Sequence, residues 1–465
     1  MLNRNIRISK KKMHMYIFSW LLLMIFIFLV NISKQSMKVS SAIEDPSPER
    51  FILHDLRSSA MEKTPWNRTW GGINTEYGYG IWGDGAGSIY TLGDTTSFGA
   101  GREDLLLIKW NVDGIQQWNR TWGGSLHDAG IAVWGDGSGG IYTCGSTYSF
   151  SASGSALVLI KWNVSGSQQW NRTWGNSSSG YAVRSDGTGG IFTCGETHSI
   201  GAGNSDLALI KWNSTGDQQW NRTWGGPGYE TGYGLWIDTT GNIYTCGTTR
   251  NSETGPANVI LVKWDATGNQ LWNRTWGTTL DENAMSLCGD TTGSIYTCGT
   301  VWNQNTTDIL LTKWNMTGDI LWNRTWDGAS SAMGGSIWGD GTGAVYITGV
   351  VYQTIVVDGH VTDQADVVVV AWNAVTGNSS WYRTWGGPLD DYGTCLWGDG
   401  AGSLYICGIT WNTGSGYIDI LVLKMDISDP TAAITAIIIG VGVACGGAVA
   451  IGVVVVVRKK RHQWI

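Results

Sequence analysis

The chain has 465 residues, 30 Lys and Arg against 37 Asp and Glu, 67 glycines and 29 tryptophans, with only 14% of residues charged. That length holds two or three ordinary domains or one large all-β assembly, and so many turn formers and large rings favour the second over a helical protein. The aromatic and β-branched content excludes a chain too polar to bury a core.

The first residues are basic (Arg4, Arg7, Lys10, Lys11, Lys12), and an apolar run from Tyr16 to Ile32 follows, then Ser40-Ser41-Ala42. Residues 1–42 therefore read as a signal peptide or an N-terminal anchor, and residues 43–64 as a linker.

From Trp66 a repeat begins. "WNRTW" starts at Trp66, Trp118, Trp170, Trp220, Trp272 and Trp322, and "WYRTW" starts at Trp381, with intervals of 52, 52, 50, 52, 50 and 59. In the first unit "YGIWGDG" (79–85) and "SIYTLG" (88–93) are joined by Asp84-Gly85-Ala86-Gly87, and "LLLIKWN" (105–111) and "QQWNRTW" (116–122) by Val112-Asp113-Gly114, all four being apolar or alternating runs. Such runs read as strands in hairpins, and an internal period near 50 residues reads as a four-stranded propeller blade. Seven copies of the first three strands are present, but after Met425 no fourth strand follows, whereas the copy at residues 65–70 has no hairpin before it. A ring resolves the mismatch. The expected fold is all-β, a seven-bladed β-propeller of four-stranded antiparallel blades over residues 65–428, closed by residues 65–70 completing the last blade. The sixth unit carries extra residues near Val350 to Gln364, expected to project as a loop.

Residues 432–457 carry no charge and precede Arg458-Lys459-Lys460-Arg461. That is long enough for a C-terminal transmembrane helix, with residues 458–465 as a cytoplasmic basic tail. Seven of the 30 basic residues precede Ile43 and four follow Val457, leaving 19 against 37 acidic residues between them. So acidic a domain argues against nucleic acid as a partner.

The unit "W-x-R-T-W-G-G", followed by "D-x-x-G-x-I-Y-x-x-G", resembles the seven-bladed propeller repeats of prokaryotic secreted and surface proteins known as SBBP repeats. The resemblance covers residues 65 to 426 and implies a cell-surface propeller, although the family's "W-S-T-Y-L-G-G" differs from "W-N-R-T-W-G-G".

Within the strap, Trp66, Arg68 and Trp70 share one face of an extended strand, as do Trp118, Arg120 and Trp122. A guanidinium lying over indoles is the expected arrangement, and exposed aromatics for stacking on sugars the competing one. Asn67 and its equivalents begin sequons, but the turn sequons at Asn163, Asn176, Asn213, Asn305, Asn315 and Asn378 are the better glycosylation candidates. Asp84, Asp136 and their equivalents offer one carboxylate per turn, which suits a turn cap better than calcium. Cys144, Cys194, Cys246, Cys298 and Cys407 fall at one repeat position that Leu92 and Thr348 fill elsewhere, as expected of unpaired core thiols; Cys288 and Cys395 have no such explanation. The histidines lack ligand spacing, and Arg102, Arg184 and Arg250 show no convergence.

No metal, cofactor or catalytic constellation is expected. The blades differ chiefly in the loops between second and third strands, and variable loops on a constant scaffold make binding surfaces. The functional expectation is a single-pass, membrane-anchored extracellular binding, scaffold or adhesion module for a protein or a cell-envelope glycan. The alternatives are a glycoside hydrolase or lyase at the propeller axis and a quinoprotein-like redox propeller.

Overall fold

In the computed structural model, residues 65–427 are described apart from 253–254, 304, 329, 342, 358–359 and 412–417. They form seven antiparallel sheets, one per repeat. The first blade comprises Glu76–Gly83, Ser88–Thr95, Asp104–Asn111 and Gln116–Trp122 in that spatial order. In the seventh, Asp391–Gly398, Ser403–Trp411 and Ile418–Asp426 are completed by Trp66–Trp70. That outermost strand lies antiparallel to the chain's last strand, from Trp66 opposite Lys424 to Trp70 opposite Ile420. The first strand of each blade packs on the first strands of both neighbours, and the series closes on itself, which makes these strands the lining of the axis.

The turns explain why each hairpin forms. Oδ1 of Asp84 accepts the Ala86 and Ser88 amides at 2.8 and 2.9 Å, while Gly85 and Gly87 take the left-handed φ values of 69° and 108°. Between third and fourth strands Asn or Asp does the same: Oδ1 of Asn163 accepts the Ser165 and Ser167 amides at 3.0 and 2.9 Å. A carboxylate at the start of the first strand ties down the loop leading into it, as when Oε2 of Glu76 accepts the Gly72 amide at 2.7 Å.

The core lies between blades rather than in a single centre. Leu92, Leu105, Leu107, Val158 and Ile160, for example, are fully buried in one cluster across the first two blades. In the first five blades the third strand ends in a buried tryptophan whose indole N–H reaches a threonine of the second strand, as Trp110 to Thr91 at 2.9 Å and Trp162 to Thr143 at 3.0 Å.

Two local features depart from the plain repeat. Residues expected to project as a loop in the sixth unit instead extend its central hairpin: Ala344–Val357 and His360–Asn373 pair without interruption from Ala344 opposite Asn373 to Val357 opposite His360. The inserted residues are rich in valine, isoleucine and threonine and so carry strand propensity of their own. In the fifth blade the first strand is split into Asp281–Glu282 and Ser286–Gly289, and Oδ1 of Asn283 between them accepts the Thr300 amide at 2.7 Å.

Residues 1–42, 43–64, 432–457 and 458–465, read as leader or anchor, linker, transmembrane helix and tail, lie outside the described residues. Among the described residues no helix is long and apolar enough to cross a membrane.

Candidate functional site

The strap proves to be a clamp between blades. Arg68, on the outermost strand of the seventh blade, donates from Nε to the carbonyl of Gly114 and from Nη2 to that of Asp113, at 3.0 and 2.9 Å, while Trp66 donates to that of Val112 at 2.9 Å. All three acceptors belong to a turn of the first blade. Arg120 and Trp118 grip Gly166, Ser165 and Val164 of the following blade in the same way. Each guanidinium also covers the tryptophan two residues before it, at 5.2 Å in both cases. The second strap tryptophan packs on the next blade's loop, Trp70 on Phe98 at 5.2 Å and Trp122 on Phe150 at 4.9 Å. These side chains are occupied in holding the ring.

The axis has two different mouths. Near the Asp turns, one position of the first strand holds Trp82, Trp134, Trp236, Trp338 and Trp397, each opposite a tyrosine of the second strand. Room for four of these indoles, those of Trp82, Trp236, Trp338 and Trp397, comes from glycine on the following blade: a Cβ on Gly135 would meet Trp82 at 2.1 Å, and one on Gly83 would meet Trp397 at 2.4 Å. In the third and fifth blades the position is held by Arg184 and Cys288.

At the opposite, loop-bearing mouth the first strands bulge, and the extra residue is Tyr79, Tyr181 or Tyr233 in three blades. Tyr181 donates to Oε1 of Glu196 at 2.9 Å, Thr231 of the next blade donates to Oε2 at 2.8 Å, and Nε2 of His198 lies 3.7 Å from Oε1. Tyr233 packs on Tyr181 with ring centroids 5.5 Å apart. Burial pushes both phenols well above their ordinary range, with the Glu196 carboxylate adding to the effect. Nδ1 of His198 lies 2.7 Å from the Asn204 carbonyl, so Nδ1 carries the hydrogen and Nε2 is turned to the carboxylate. A second carboxyl, Asp94, sits beside the stacked pair Tyr77 and Tyr79; burial raises its pKa well above the ordinary range, with Glu103 and Glu76 contributing. This rim is the asymmetric part of the molecule. Ser146 and Thr248 stand in the second and fourth blades where Asp94 and Glu196 stand in the first and third.

This rim is not visible from the spacing of the histidines, and Glu196 stands out only by its departure from the repeat at a registered position. The axial place of Arg184 was missed likewise, whereas Arg250 pairs with Asp281 at 3.1 Å. The sequon residues Asn163, Asn213 and Asn315 cap surface turns, with Nδ2 of Asn213 and Asn315 held by Asp217 and Asp319 at 3.1 and 3.0 Å. Asn176, Asn305 and Asn378 are exposed. All seven described cysteines are free, and those of the repeat position are buried.

The architecture defines a seven-bladed β-propeller closed by pairing of its first and last strands. No family model matches the chain, and no curated protein matches it. Its fold is similar to the β-propeller domain of the Trilobed protease from Pyrococcus furiosus, at 8% identity over 77% of this chain and 98% of that one, with a TM-score of 0.43. A protein of unknown function from Dyadobacter fermentans is similar at 10% identity over 77% and 99%, TM-score 0.42. A polysaccharide lyase, an ulvan lyase, is similar at 12% identity over 76% and 95%, TM-score 0.48.

Proposed function

We propose that the chain is a recognition propeller that captures a cell-envelope glycan or a protein on its loop-bearing face. One observation carries the reading: the loops between second and third strands, all on that face, differ from blade to blade while the strands and the other turns largely repeat. There Phe98, Phe150 and Ile200 stand 47, 51 and 43% exposed on successive blades, and the third blade adds the Tyr181–Glu196–His198 group. Exposed rings next to polar groups suit stacking and hydrogen bonding to a polymer. The chain ends support the orientation. Because Trp66 opposes Lys424, both ends of the ring emerge on the opposite face, so a membrane segment at residues 432–457 would turn the loops outward. The resemblance to SBBP surface propellers agrees with such a placement.

The test is capture by full-length chain in detergent micelles of a panel of envelope polysaccharides and surface proteins. Saturable retention that falls at least about tenfold in a Phe98→Ser, Phe150→Ser double variant is the expected result. Retention unaffected by that variant places the surface elsewhere and refutes the reading.

A second reading, an enzyme acting on a polymer at the rim, draws on the hydroxyl, carboxylate and imidazole gathered at Tyr181, Glu196 and His198, groups suited to proton transfer. It requires shortened product, and product formation lost in Tyr181→Phe while retention persists.

A further inference from the structure

Arg184 occupies the axial position at which five blades place tryptophan, and its surroundings are unlike those of any strap arginine. The Arg120 guanidinium donates to three carbonyls. That of Arg184 makes one hydrogen bond, from Nη1 to the carbonyl of its own neighbour Val183 at 2.9 Å, and rests on the Trp134 ring at 4.1 Å. A guanidinium has five N–H donors. Among the described residues no carboxylate pairs with this one; the other ionisable groups that act on it are the thiols of Cys395, Cys144 and Cys288. Burial pushes the Cys144 and Cys288 thiols up to about 12, so they stay neutral and do not serve as counter-ions. Burial also lowers the pKa of the arginine itself.

The next blade explains why Arg184 leans inward over Trp134. Tryptophans at this position rest on glycines such as Gly83, Gly135, Gly289 and Gly398, but the residue after Trp236 is Ile237, which closes that seat on the blade following Arg184. Arg184 is only partly exposed, and it stands on one of the innermost strands. A charge with four unused donors, partly withdrawn from water and lying on the single indole of Trp134, favours an anion over water alone.

We propose that Arg184, with Trp134 beneath it, forms a binding site on the innermost strands, toward the mouth away from the loops, for a small organic carboxylate with a flat apolar body. The carboxylate takes the guanidinium fork, and the body lies beside the Trp134 ring. This site is independent of the loop-face reading.

The test is ligand-observed fluorine NMR and calorimetry on the full-length chain in detergent, with 4-fluorobenzoate as probe and 4-fluorobenzamide as its uncharged counterpart. Two variants are compared, Arg184→Gln and Arg184→Trp, and the thermal unfolding of each controls for loss of fold. The expected result is saturable benzoate binding at least about tenfold tighter than the amide, abolished in both variants with thermal unfolding unchanged. Equal affinity for the amide, persistence of binding in Arg184→Trp, or no binding by the unaltered chain at millimolar probe overturns the proposal.

Discussion

Nη1 of Arg383 donates to the backbone carbonyl of Asp426 at 2.6 Å. Every other strap arginine reaches the turn between third and fourth strands of the next blade, but the seventh blade has no such turn, because its fourth strand is Trp66–Trp70. The strap of the sixth blade therefore grips the end of the ring itself, and Arg383 is buried there. Arg383→Ala should cost about 1–3 kcal/mol in urea unfolding, because it removes a buried charged donor from a part-buried carbonyl. Arg172→Ala, which frees the exposed carbonyl of Thr215, should cost less.

Deleting residues 65–70 leaves the strand Ile418–Asp426 with a bare edge. Hydrogen exchange should then accelerate across 418–426 while the second and third blades keep their protection, and the shortened chain should self-associate. Unchanged exchange at 418–426 would contradict ring closure by this strand.

Gly145 faces the carbonyl of Ala129, and an added Cβ would lie 1.9 Å from that oxygen. Since the neighbour is backbone, it cannot swing away. Gly145→Ala should destabilise by about 2 kcal/mol or more, whereas Gly226→Ala, with nothing within 4 Å, should stay within about 0.5 kcal/mol in the same unfolding assay.

The ring was legible because strand count, turn chemistry and the orphan copy at Trp66 are all local signals repeated seven times. Arg68 over Trp66 was legible too, since alternation places both on one face. Other features depend on relations between blades that no window of sequence contains. Glu196 meets Thr231 of the next blade, and Arg184 meets Trp134 of the previous one. The long hairpin of the sixth blade was misread as a loop because only length was weighed, and its β-branched composition was not.

Asp366 and Asp391 should give folding a distinctive pH dependence. Burial, with neighbouring carboxylates adding to it, raises both to about 6. The folded chain then holds protons more tightly than the unfolded chain between the ordinary carboxylate range and about 6, so stability falls as pH rises through that window. Asp366→Asn should flatten this fall. A midpoint that still drops as steeply between about pH 4 and 6 would assign the effect to other groups.

Burial pushes the Cys144 thiol up to about 12, and Cys194, Cys246, Cys298 and Cys407 are raised for the same reason. Alkylation of the native chain at pH 8 should leave these five unlabelled by mass spectrometry, and urea should expose them together. Reductant should not shift the thermal midpoint, since none of the five is paired.

The pairing of Trp66 with Lys424 also governs how the ring bears force. Both tethers leave from one end of an antiparallel strand pair, so tension pulling them apart opens that pair bond by bond, like a zip, rather than straining all its bonds at once. A load borne through either tether alone passes into blades clamped by arginine to their neighbours. The propeller is thus mechanically weakest at its own clasp, and pulling its two ends apart unfastens it at a force far below that needed to shear a strand from the middle of a blade.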